Sequence, residues 1–169
     1  MTSSDIVKEL FSALDSGNYT KADSYLDNNF KFSGPTPTAL GKAEFLAFEK
    51  AMRASTPNVD HGITVSWESK DGEVRGEAHV RGTHTKDLNL PMIPLVKATN
   101  KSYRLPAEKY TAWVKNGKIA SIAVDTPTDG GVIGMLTQIG REDIADCLRT
   151  KGLNCRADYE ETGSTRAHI

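Results

Sequence analysis

Residues Glu73 to Thr85 read EVRGEAHVRGTHT, and their alternation decides the fold. Val74, Ala78, Val80 and, beyond Gly82, His84 share one parity, whereas Glu73, Arg75, Glu77, His79 and Arg81 share the other. A period of two with one apolar face specifies a strand in a sheet that is covered on one side only. His84 is the polar residue on the apolar side, placed where the strand gives way to the loop Leu88 to Val96 (LNLPMIPLV). Two prolines bar that loop from a central strand, and its apolar content implies that it lines or covers a cavity.

The neighbouring segments extend the sheet. His61, Ile63, Val65 and Trp67 alternate up to a Lys70-Asp71-Gly72 turn, which makes a hairpin with the first strand. Tyr103 to Lys115 and Lys118 to Asp125 form a second hairpin around Asn116-Gly117. Upstream, Ile6, Leu10 and Leu14 recur at helical spacing behind a Ser4 cap, and the helix ends before Gly17. A short second helix carries Ala22, Tyr25 and Leu26. Phe30 and Phe32 flank Lys31 in a short strand, closed by Ser33-Gly34-Pro35-Thr36-Pro37. From Lys42 to Ala54, Phe45, Phe48 and Met52 mark the buried face of a third helix, with Lys42, Glu49 and Lys50 assigned mostly to the wet face. Val132 to Ile139 reads as a short apolar helix and Arg141 to Arg149 as a polar one; Arg156 to Ile169 reads as a mobile tail.

Helices followed by antiparallel strands give an α+β fold in one domain, a cone-shaped curved antiparallel sheet wrapped around the N-terminal helices. The 169 residues suffice for one core, and Lys+Arg 21 against Asp+Glu 22 gives a net charge of −1. That balance provides no basic face for nucleic acid. No run reaches the roughly 20 apolar residues of a membrane span, and the N-terminus lacks a secretory signal, so the expected location is the cytoplasm. In that compartment Cys147 and Cys155 are expected as free thiols, although a bond between them would close a short loop. Scattered histidines and unpaired cysteines offer no metal site. No nucleophile elbow, P-loop or dinucleotide fingerprint is present, so the expectation is chemistry without a cofactor.

Four stretches occur in one order: Phe30-Lys31-Phe32-Ser33-Gly34-Pro35, Gly41-Lys42-Ala43-Glu44-Phe45, Gly82-Thr83-His84-Thr85, and Gly134-Met135-Leu136-Thr137-Gln138-Ile139-Gly140. With these the chain resembles the nuclear transport factor 2-like superfamily, and within it the SnoaL-like, polyketide cyclase-like branch. The resemblance covers about Asp5 to Gly140. It implies a SnoaL-like domain over 1–140, followed by a polar helix and tail over 141–169, and a homodimer formed through sheet faces, where Trp113 and Thr111 lie opposite in parity to Tyr110. Many relatives of this kind carry an acidic residue, a polar residue and a tryptophan in the final strand. Here that position reads Ser121-Ile122-Ala123, and the resemblance transfers the catalytic aspartate onto Asp125.

Three residues are candidates for chemistry. Asp125 is either a base whose pKa is raised by an apolar pocket or the cap of the following turn. His84 is either a proton donor or acceptor or a tie between loop and strand end. Tyr110, which shares a parity with Glu108, either stabilises a developing oxyanion or makes a structural hydrogen bond. Tyr25, Phe48, Met52, Trp67 and Glu108 are candidates for the substrate pocket, with ordinary core packing as the alternative for the apolar ones. The implied function is cofactor-free acid–base chemistry, of isomerase, cyclase or dehydratase type, on a small hydrophobic carbonyl compound. The alternative is a binding or scaffold module for an apolar ligand. Convergence of His84, Asp125 and Tyr110 on one cavity is the feature that separates the two.

Overall fold

The computed structural model describes residues 1–162. Its first helix, α1 (Ser3–Ser16), starts two residues earlier than the Ser4 cap implied, with Thr2 as the cap. The Thr2 hydroxyl accepts the Asp5 N–H and the Asp5 carboxylate accepts the Thr2 N–H, which satisfies two free donors of the first turn. The helix buries Ile6, Val7, Leu10, Phe11, Ala13 and Leu14 and stops at Gly17. Asn18 caps α2 (Tyr19–Ser24), and the chain then enters β1 (Leu26–Ser33), so Leu26 belongs to a strand rather than to the second helix. After the two-residue β2 (Leu40–Gly41), α3 (Lys42–Ser55) crosses the concave side of the sheet.

The remaining strands are β3 (Thr64–Glu68), β4 (Glu73–Ala78), β5 (Arg81–His84), β6 (Lys101–Arg104), β7 (Glu108–Lys115) and β8 (Lys118–Asp125). The long strand expected over Glu73 to Thr85 is thus interrupted at His79 and Val80. Its first half stays in a six-stranded sheet of order β2-β1-β8-β7-β4-β3, and its second half pairs with β6 in a separate two-stranded arm. The inward parity of β4 is as read, with Val74, Gly76 and Ala78 buried. Asn116 and Gly117 both take positive φ in the β7–β8 turn. The pairs are antiparallel with one correction: β1 runs parallel to β8. A strand that follows a helical hairpin can join the sheet in either direction, and local alternation carries no signal for which.

Phe30, Phe32, Val74, Ala112 and Ile122 pack from the sheet against Val7, Leu10, Leu14 and Phe45 from the helices. Phe45 is fully buried, Met52 is buried and Phe48 half-buried, as the helical spacing implies. Glu49 departs from the expectation: it is 6% exposed, because it stands four residues after Phe45 and three before Met52 on the same face.

A second core lies beside the first. α4 (Gly131–Gln138) and α5 (Glu142–Lys151) enclose the loop Leu88 to Val96, whose Leu88, Leu90, Ile93 and Val96 are fully buried against Met135, Leu136, Ile144 and Leu148. Leu88 and Val96 exchange backbone hydrogen bonds at 2.8 and 3.0 Å, which closes the loop on itself. The loop therefore builds a core of its own, and none of its residues walls the cavity described below.

Past a 3-10 turn (Gly152–Asn154) the chain continues as α6 (Cys155–Thr162). The tail expected from Arg156 onward is thus helical to Thr162, and its last seven residues lie outside the described part. Cys147 and Cys155, expected as free thiols, are bonded to each other across eight residues, with Cα atoms 5.5 Å apart. Both sit in the second core. No helix among the described residues is long and apolar enough to cross a membrane.

Candidate active site

Between α1, α3, the concave sheet and α4 lies a cavity that offers about 80 Å³ to the centre of a water-sized sphere. Its wall is overwhelmingly apolar, with Phe11, Phe32, Phe48, Met52, Ile63 and Ile122 among its residues. Four polar side chains interrupt that wall, namely Glu49, His61, Tyr103 and Glu108, together with Tyr110, whose hydroxyl is turned to the backbone.

His61 is held by backbone geometry on both sides. Asp60 exchanges two hydrogen bonds of 3.0 Å with Arg81, and the His61 carbonyl accepts the His79 N–H at 2.8 Å. Gly62 follows at φ 55°, where a side chain would meet the His79 carbonyl oxygen at 2.6 Å. Only glycine fits there, and the tight passage fixes the imidazole's direction. Nε2 lies 2.9 Å from Oε2 of Glu49, and Nδ1 lies 2.5 Å from Oδ1 of Asp15 on α1. The ring also packs against Phe11 at 5.1 Å between centroids.

Burial alone would pull this imidazole down, but the Glu49 charge, with the hydrogen bonds the ring donates to both carboxylates, outweighs it and pushes the group up to about 10. At neutral pH the site is therefore an imidazolium held between two carboxylates. Glu49 is the one that faces the cavity; Asp15 also lines a groove on the outer surface.

Glu108, the first residue of β7, is 3% exposed and its Oε2 has no hydrogen-bond partner among the described residues. Burial raises this carboxyl above its ordinary range, against a smaller opposite pull from the Thr126 hydroxyl and the Gly131 N–H nearby. Tyr103 on β6 is equally buried, its hydroxyl likewise lacks a partner, and burial pushes it up to about 12. Two hydrogen-bonding groups left open inside an apolar cavity are costly unless a ligand completes them. Tyr110 differs, since its hydroxyl donates to the Thr64 carbonyl at 2.8 Å. Gly76 makes that reach possible, because a Cβ there would stand 2.7 Å from the hydroxyl.

Of the residues singled out in the sequence, Glu108, Tyr110, Phe48 and Met52 line this cavity. His84, Asp125, Trp67 and Tyr25 do not, so His84, Asp125 and Tyr110 do not converge, which by that criterion counts against the catalytic set read from the sequence. A catalytic reading rests instead on the polar groups the cavity does hold, Glu49, His61, Tyr103 and Glu108. His84 is fully buried in the strand-to-loop junction, where Nδ1 accepts the Thr99 N–H at 3.2 Å and lies 2.9 Å from the Thr99 hydroxyl. It ties the loop to the strand end. Asp125 is exposed on the outer sheet face beside Ser66, Arg75 and Lys109, because Ile122 and Val124 take the inward positions of β8.

Trp67 shares the parity of Ile63 and Val65 in the sequence, yet it is 45% exposed with the Arg75 guanidinium 4.6 Å from its ring centre. The reason is a bulge: Val65 pairs with Gly76, but Trp67 pairs with Arg75, so one extra residue flips the side chain outward. Tyr25 ends α2 and packs half-buried on the first core.

The sequence reading missed Asp15, Glu49, His61 and Tyr103. One signal was present for Asp15, an acid in the last turn of a helix that has no basic residue there. A carboxylate at the negative end of a helix dipole is unfavourable without a cationic partner. Both ring nitrogens of His61 are committed to carboxylates, and among the described residues no cluster of three or more His, Cys, Asp or Glu side chains could hold a metal ion.

Several solved structures share this architecture. A candidate polyketide cyclase from Pseudomonas putida KT2440 superposes with a TM-score of 0.64 at 19% identity, over 82% of this chain and 98% of its own. A second, from Xanthomonas campestris pv. campestris, gives 0.63 at 19% identity over 82% and 96%. A hypothetical protein with a ketosteroid isomerase-like fold from Catenulispora acidiphila DSM 44928, in complex with trimethylamine, gives 0.57 at 14% identity over 83% and 95%. At such identities the likeness concerns the fold alone. No curated protein matches the sequence. The family profile described as a SnoaL-like domain matches residues 7–122, a span that runs from α1 into β8 and includes Asp15, Glu49, His61, Tyr103 and Glu108, and this chain belongs to the SnoaL-like domain family.

Proposed function

We propose that this protein is an enzyme that carries out acid–base chemistry without a cofactor, of the isomerase or cyclase type, on a small apolar carbonyl compound. The observation that carries the reading is the Glu49–His61 pair set into the wall of an apolar cavity. A carboxylate paired with an imidazolium and shielded from bulk water can take a proton from a carbon next to a carbonyl. The open Tyr103 hydroxyl and the Glu108 carboxyl, whose burial favours the neutral form, are donors suited to the negative charge that then develops on the carbonyl oxygen. Family membership supports the reaction class, since SnoaL-like relatives include polyketide cyclase candidates.

The test is proton exchange at carbon. Incubated in deuterium oxide with a panel of apolar cyclic ketones, the protein should catalyse deuterium entry at the α-carbon of at least one, read by mass spectrometry. A ligand that binds tightly, with no exchange above the uncatalysed rate for any ketone, would replace the enzyme with a binding module.

The same reading includes pairing of two copies through the outer sheet face, where Trp67 and Trp113 are 45% and 38% exposed. Sedimentation at micromolar concentration should give a dimer, weakened by Trp113→Arg; a monomer throughout would exclude it.

A further inference from the structure

The third member of the charged cluster lies on the other side of the cavity wall. Asp15 receives His61 Nδ1 at 2.5 Å while lining a surface groove with Lys8, Ser12, Asp60 and Gly62. Phe11 and Ile63 belong to both the groove and the cavity, so His61 and these two side chains are the partition between them. Glu49 thus faces the closed cavity, the imidazole spans the partition, and Asp15 meets the groove. The Glu49 side chain is 7% exposed, against 29% for that of Asp15.

From this geometry we propose that Asp15 is the solvent end of a proton relay that keeps the charge of the buried Glu49–His61 pair constant while Glu49 gains and loses a proton. The proposal rests on the reading of Glu49 as the base. When Glu49 takes a proton from the substrate, the imidazolium passes its Nδ1 proton to Asp15 Oδ1, and Asp15 gives it to water in the groove. When Glu49 returns its proton to carbon, Asp15 takes one from water and restores it to Nδ1. One proton enters at Glu49 and one leaves at Asp15, no bond other than N–H and O–H bonds changes on the protein, and the cavity never opens. An imidazole suits this position because its two nitrogens can act on opposite sides of a wall.

Asp15 is a positioning and relay residue, since it does not reach the cavity. The other charged groups around it are Lys8 and Asp60 in the groove and Arg53 of α3, whose Nε donates to the Asp15 carbonyl at 3.3 Å. None of them joins Asp15 to the cavity by another route.

Proton exchange in the ligand-free protein, labelled with ¹⁵N-histidine, tests the relay without any substrate. The His61 Nδ1–H should exchange with water roughly tenfold or more faster than the core amides of α1, because a local path needs no global opening. Asp15→Asn should slow it by a similar factor and Asp15→Glu should restore it. Ser12→Leu, which covers the groove without touching the charged cluster, should slow it as well and serves if Asp15→Asn fails to fold. Nδ1–H exchange that keeps pace with the core amides, or that ignores both Asp15→Asn and Ser12→Leu, would overturn the relay. Loss of ketone exchange with an intact Asp15 dependence of the Nδ1–H would instead remove Glu49 as the base.

Discussion

Glu49→Gln is expected to lower turnover on any ketone the protein accepts by 10²–10⁴-fold, the usual contribution of one positioned acid–base group. At 1.36 kcal/mol per decade, that is roughly 3–5 kcal/mol of barrier. The amide has the size of the carboxylate, and its oxygen can still accept from His61 Nε2, so position and hydrogen bond survive while basicity is lost. The loss should appear in kcat with KM little changed, because the ground-state ligand meets the same wall. Asp125→Asn provides the contrast: that residue lies on the outer sheet face, and its removal should leave turnover unaltered. A Glu49→Gln protein with the wild-type rate would sink the assignment. An effect confined to KM would make Glu49 a binding group.

The fold was legible because its signals are local. Alternation in β4 and β7, the Asn116-Gly117 turn and the helical spacing of Phe45, Phe48 and Met52 each report the surroundings of a few neighbouring residues, and each recurs in the structure. The site was less legible because its parts are distant in sequence: Asp15 lies 46 residues from His61. Parity could place Glu108 and Tyr110 inward, since both follow one strand without interruption. It could not place Trp67, because a single bulge in β3 reverses every later assignment.

His84 and His61 show the difference between a correct local reading and a correct site. Both stand at inward positions, and both are buried. His84 pairs with Thr99, and burial lowers its pKa, whereas His61 meets two carboxylates and is driven up. The deciding partners come from α1 and α3, which neither histidine's own segment specifies. Glu49 was misassigned for a related reason. Charge argued for the wet face, but its spacing from Phe45 and Met52 places it inward, and His61 supplies the partner that makes burial tolerable.

The second large effect concerns stability and pH. In the folded protein the two carboxylates push His61 up to about 10 from the ordinary imidazole value of 6.5 that the unfolded chain retains, so folding favours the protonated form. Stabilisation from this linkage is therefore fully present below about pH 6.5 and is gone once the pH has risen through about 10. Urea unfolding followed from pH 6 to pH 10 should show falling stability across this window, and His61→Gln should flatten the slope. At pH 7 the same substitution leaves Glu49 buried without its cation, a loss of roughly 3–5 kcal/mol by analogy with broken buried pairs. The double variant Glu49→Gln/His61→Gln should recover part of that, because an amide pair carries no uncompensated charge. A cycle in which the two losses simply add would mean that the residues do not interact, and the buried ion pair would have to be abandoned.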